Sequence, residues 1–107
     1  MSAIDRAYLA TIFTDPDELE AIVEEAIVDL RSGLSDVAAA TEAGDLNTIR
    51  EVAHRIKGVA AQLGAKSVQS AASELEEAAK DDLGSGNVEP QRYAALLSAL
   101  TAAVAAL

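Results

Sequence analysis

The sequence has no cysteine and no tryptophan, only two prolines, and aromatics at 3% of its 107 residues. Without cysteine there is no disulfide framework, no thiolate nucleophile and no cysteine-based zinc or iron–sulfur site. Basic residues are scarce too: eight Lys and Arg stand against eighteen Asp and Glu, a formal net charge of −10. Such an acidic surface does not suit a polyanion, so nucleic-acid binding is not expected. No apolar run approaches the roughly 20 residues of a membrane span, and the start, Met1-Ser2-Ala3-Ile4-Asp5-Arg6, lacks a signal-peptide profile. A cytoplasmic chain without membrane contact is expected. Half of the residues are hydrophobic, with alanine the commonest type, in a length that suits one domain over residues 1–107.

Both prolines stand where a helix can begin, since proline at the first helical position costs no hydrogen bond. Apolar residues at four-residue spacing predict a short leading helix over Ile4 to Phe13. Asp15 then reads as an N-cap with Glu18 as its capping-box partner, opening a helix from Pro16 to about Ala43. Gly44 stops that helix and Asp45 caps the next, so the two form a tight antiparallel hairpin. The third helix runs Leu46 to Leu63 on a stripe of Ile49, Val52, Ala53, Ile56, Ala60 and Leu63, with Gly64 as its stop. A fourth starts at or just before Ser67 with Val68, Ala71, Ala72, Leu75 and Ala79, followed by a flexible loop over Asp81 to Asn87. A fifth follows from about Glu89. No alternating strand pattern occurs, so the expected class is all-α: an antiparallel up-down four-helix bundle with a short additional N-terminal helix.

His54 is the one histidine, and it falls roughly 140° from the stripe of the third helix, pointing out of the core. Taken alone, an outward helical histidine is ordinarily a plain surface residue. Its neighbours make it a candidate. Lys57, Gly58 and Ala61 share its face. Glycine inside a helix costs roughly 1 kcal/mol against alanine, and Gly58 projects roughly 180° from the stripe, where close core packing does not explain it. An outward glycine gives clearance for a partner to approach the imidazole, and Lys57 adds a cation suited to phosphate oxygens. Residues 50 to 66 hold Arg50, Arg55, Lys57 and Lys66 against Glu51 alone, a local +3, while the rest of the chain carries −13. That segregation suits a partner with an acidic binding face, although eight bases can also cluster by chance.

Other chemistries lack their parts. Glu51-Val52-Ala53-His54 matches the Glu-x-x-His of di-metal bundles, but such a site needs a second motif and two more inward carboxylates, so no metal is expected. There is no Gly-x-Ser-x-Gly elbow and no phosphate-cradling glycine loop. The Asp-Ser-Leu of acyl carriers appears only in the wrong order, as Leu34-Ser35-Asp36.

The run from Ala53 to Ala65, with His54-x-x-Lys57-Gly58 and Leu63-Gly64-Ala65, closely resembles the signature of the histidine-containing phosphotransfer domain. Gly44-Asp45, Leu75-Glu76 and the helix lengths extend the resemblance over nearly the whole chain. Val59 departs from it, since the family often has a small polar residue there. The resemblance implies a phosphorelay intermediate. It takes a phosphoryl group on His54 from a receiver-domain aspartate and passes it to another receiver, without kinase activity of its own. His54 would attack through Nε2, Lys57 would balance the phosphoryl charge, and Gly58 would admit the receiver's active site. Glu76, on the next helix, is either the acceptor that orients His54 at Nδ1 or a solvated helix acid.

Arg50, Arg55, Ala61, Gln62 and Lys66 are the expected partner-binding residues. The partners implied are receiver domains of response regulators or hybrid histidine kinases. Magnesium would belong to the receiver, so no cofactor is expected. A complete four-helix core in one chain favours a monomer. Two alternatives stand beside this reading: a phosphate-independent helical adapter that binds receivers, and an inactive relative that binds them without carrying phosphate. Met1 fits a freestanding protein, although an excised piece of a longer one would look the same.

Overall fold

The computed structural model describes residues 4–86 and 88–107, and every regular element among them is a helix. Five helices follow in order: α1 (Arg6–Ile12), α2 (Pro16–Ala43), α3 (Leu46–Leu63), α4 (Lys66–Ser85) and α5 (Pro90–Ala105). Each of α2 to α5 packs on its chain neighbour, and α2 meets α5 to close the ring, which is an up-down four-helix bundle. α1 lies apart against α2.

Local chemistry sets the ends. Asp15 caps α2 by accepting from the Asp17 amide at 3.0 Å, and Pro16 takes the first helical position. The bond goes to Asp17, while Glu18, expected as a capping-box partner, is exposed. α1 is shorter than the apolar spacing suggested, because Asp5 caps it at one end and Phe13 turns extended at the other. α2 and α3 both end on a left-handed glycine, Gly44 at φ 69° and Gly64 at φ 66°, a conformation that side chains disfavour. Asp45 then caps α3 through the Thr48 amide and hydroxyl. At Gly64 space is short as well, since a Cβ there would lie 2.5 Å from that of Asp5. The Asp5 amide donates to the Leu63 carbonyl at 3.0 Å and ties the leading segment to the end of α3.

The predicted stripe of α3 is buried in full, Ile49, Val52, Ala53, Ile56, Ala60 and Leu63. From α4 come Val68, Ala71, Ala72, Leu75, Ala78 and Ala79, so α4 meets the larger side chains of α3 with a face rich in alanine. Small side chains let the two helices approach closely over a long interface. The loop expected over residues 81–87 is a correction. α4 continues to Ser85 and ends on Gly86 at φ 75°, while Asn87 lies outside the described residues. The polar run is held helical because Asp82 is buried, accepting a hydrogen bond from the Tyr93 hydroxyl at 2.5 Å with Arg92 beside it at 3.7 Å.

Candidate functional site

The face of α3 opposite its buried stripe lies in solvent, which is where His54 sits, with its side chain 70% exposed. α4 runs antiparallel alongside and brings Glu76 to the same spot, one residue after buried Leu75 and so on the rim of the helix interface. His54 Nδ1 lies 2.6 Å from Glu76 Oε2, and Lys57 Nζ donates to Glu76 Oε1 at 2.5 Å. Both carboxylate oxygens are therefore engaged. Glu76 is 14% exposed, and burial by itself would raise its carboxyl. The hydrogen bonds from Lys57 and His54, with their charges, win and hold it below the ordinary glutamate value.

An ionised carboxylate only accepts, so this contact puts a proton on His54 Nδ1, and in the neutral ring Nε2 then keeps its lone pair. The free nitrogen belongs to an exposed ring. One turn on, Gly58 is exposed too, and a Cβ built there meets nothing within 4 Å. Its lack of a side chain answers no packing need in the fold. Ala61 continues the same low face.

The remaining candidates divide. Arg50 lines an open groove between α3 and α4 with Glu51, His54, Glu76 and Lys80. Arg55 turns the other way, toward α2, and pairs with Asp36 at 3.3 Å. Gln62 borders an apolar depression formed with Tyr8, Ile12, Phe13 and Ile22. Lys66 opens α4, ten residues and so roughly 15 Å along the helix from Glu76. The single basic patch expected around His54 is thus split. Neighbours in sequence leave a helix in different directions, and two of its four cations are paired with carboxylates. Lys80 was missed by sequence reasoning. The available signal was its place four residues after Glu76, the same step that separates Arg50 from His54. Among the described residues, no three His, Cys, Asp or Glu side chains gather into a group that could hold a metal ion.

The site is an exposed imidazole, oriented by a carboxylate, on a four-helix bundle. The Hpt domain family profile matches residues 16–107, and the chain belongs to that family. It is similar to histidine-containing phosphotransfer protein B from Pseudomonas aeruginosa PAO1, whose crystal structure superposes with a TM-score of 0.81 at 29% identity. That match covers 96% of this chain and 85% of the other. No curated protein matches the sequence. Among the described residues, no helix is long and apolar enough to cross a membrane.

Proposed function

We propose that this Hpt domain relays phosphoryl groups between receiver domains of response regulators or hybrid histidine kinases, with His54 as the carrier. The observation that carries the reading is the 2.6 Å contact of His54 Nδ1 with Glu76 on an otherwise exposed ring. It supports a neutral imidazole whose Nε2 is the nucleophile. The Nε2 lone pair attacks the phosphorus of a receiver's aspartyl phosphate. The phosphorus–oxygen bond breaks and the aspartate leaves as a carboxylate with its electron pair. The ring then carries positive charge, and its Nδ1–H stays on Glu76, whose negative charge stabilises that state. The reverse sequence delivers the group to the next receiver.

Lys57 fixes the Glu76 carboxylate and adds positive charge to the transfer site. Gly58 and Ala61 keep the approach to Nε2 low enough for a second protein's active site. Gln62 and Arg55, on the α2 flank of α3, and Lys66, exposed at the start of α4, are proposed to meet the body of the receiver. The magnesium that assists transfer is assigned to the receiver, whose aspartates do the phosphate chemistry on the other side.

The test mixes the protein with phosphorylated receivers and magnesium, and reads acid-labile, alkali-stable phosphate. Label on the wild type and none on a folded His54→Gln variant is expected. Label persisting on His54→Gln would place the phosphate elsewhere. Binding without label for any receiver would favour a phosphate-independent adapter.

A further inference from the structure

The groove beside His54 holds more cationic charge than the transfer site described so far uses. Its lining is Arg50, Glu51 and His54 from α3 with Glu76 and Lys80 from α4. In antiparallel helices with His54 facing Glu76, a step of four residues back along α3 matches a step of four forward along α4. Arg50 and Lys80 therefore repeat the His54 to Glu76 pairing one turn further on, roughly 6 Å away. Both are exposed, and neither forms a salt bridge among the described residues. Lys57, in contrast, already spends its ammonium on Glu76 Oε1.

A phosphoryl group on Nε2 brings about −1.5 to −2 charges into a groove that already contains two carboxylates, Glu51 and Glu76. One cation shared with Glu76 does not balance that load. The two unpaired bases stand on either wall of the same groove, within reach of long flexible side chains. We propose that Arg50 and Lys80 close on the phosphoryl oxygens of phosphorylated His54, as a cationic clamp that stabilises the carrier state between transfers. The inference rests on the phosphotransfer reading, and it moves Arg50 from partner contact to phosphoryl contact.

The experiment loads the protein without any receiver, using phosphoramidate. Its phosphorus–nitrogen bond breaks, ammonia leaves, and a phosphorus–Nε2 bond forms. Phosphorus NMR then follows the phosphohistidine resonance against pH at low salt. The charged groups facing the phosphoryl are Arg50, Glu51 and Lys57 from α3 and Glu76 and Lys80 from α4. Each clamp cation favours the doubly ionised phosphoryl, so Lys80→Gln and Arg50→Gln should each raise its titration midpoint by about half a pH unit. The double variant should approach a full unit, Lys80→Arg should restore the wild-type midpoint, and added salt should erase the differences. Arg31→Gln, which makes the same charge change on the exposed side of α2, should leave the midpoint in place. Midpoints unchanged in the double variant, or moved equally by Arg31→Gln, would overturn the clamp while leaving His54 as carrier. Failure of His54 to take any phosphoryl would overturn both.

Discussion

At the residue scale the fold and the proposed transfer make opposite demands on Gly58. The helix would gain from a side chain there, and the space around the position is open. Gly58→Ala should therefore raise stability by about 0.5–1 kcal/mol in a urea melt, while Gly58→Leu should stay folded and lose transfer from a receiver. A large loss of helicity in the leucine variant would show that the position packs. Glu76 carries a second prediction. Its carboxyl is held below the ordinary value of 4.5, so the folded state prefers it ionised. That contribution is present above the unfolded value and disappears as pH falls through the lower folded one. Wild type and Glu76→Gln should differ in stability at pH 7 and converge toward pH 3, as read by denaturant melts across that window.

At the scale of elements, Asp82 and Tyr93 decide where α4 ends. Tyr93→Phe would leave a buried carboxylate without the hydroxyl that now reaches it at 2.5 Å. A loss of about 1–3 kcal/mol is expected, with amide exchange rising first over residues 81–85. Burial and the adjoining Asp82 also push the Tyr93 hydroxyl well above its ordinary value. Its raised value adds stability below the ordinary tyrosine range and loses it as pH climbs toward the folded one, a loss that Tyr93→Phe should remove. The same pair explains what the sequence concealed. The limits of α2 and α3 were legible because Asp-Pro and glycine signals stand next to the apolar stripe that they bound. The end of α4 was not, since Asp81-Asp82 reads as loop until a tyrosine eleven residues on buries the acid. His54, Lys57 and Gly58 were legible as one outward face. Arg55, counted in sequence with the basic residues around His54, turns to Asp36 instead, because direction around a helix, not nearness in the chain, chooses the neighbour. The place of Lys80 four residues after Glu76 acquires meaning only through the pairing of α3 with α4.

At the scale of the whole molecule, α1 is an attachment to a bundle that is complete without it. The family match begins at Pro16, after α1 has ended, and α1 makes its packing contacts on α2. What it adds is cover for one end of the bundle, through buried Ile4 and Leu9 and the bond from Asp5 to the Leu63 carbonyl. Removing residues 1–14 should leave a folded four-helix protein that still takes phosphate on His54. Its stability should fall by roughly 3–6 kcal/mol, an upper figure for two large side chains returned to water. Thermal melts and phosphoramidate labelling of the shortened chain check both halves.

The turn between α3 and α4 consists of Gly64 and Ala65 alone. His54 stands ten residues before that glycine and Glu76 eleven after that alanine, so the turn works as a ruler that sets the two side chains level. One residue inserted there would advance α4 by about 1.5 Å and rotate it by about 100°, taking Glu76 off the groove. Substitutions at exposed positions around the groove leave this register alone, whereas a change in the count of residues across the turn shifts it.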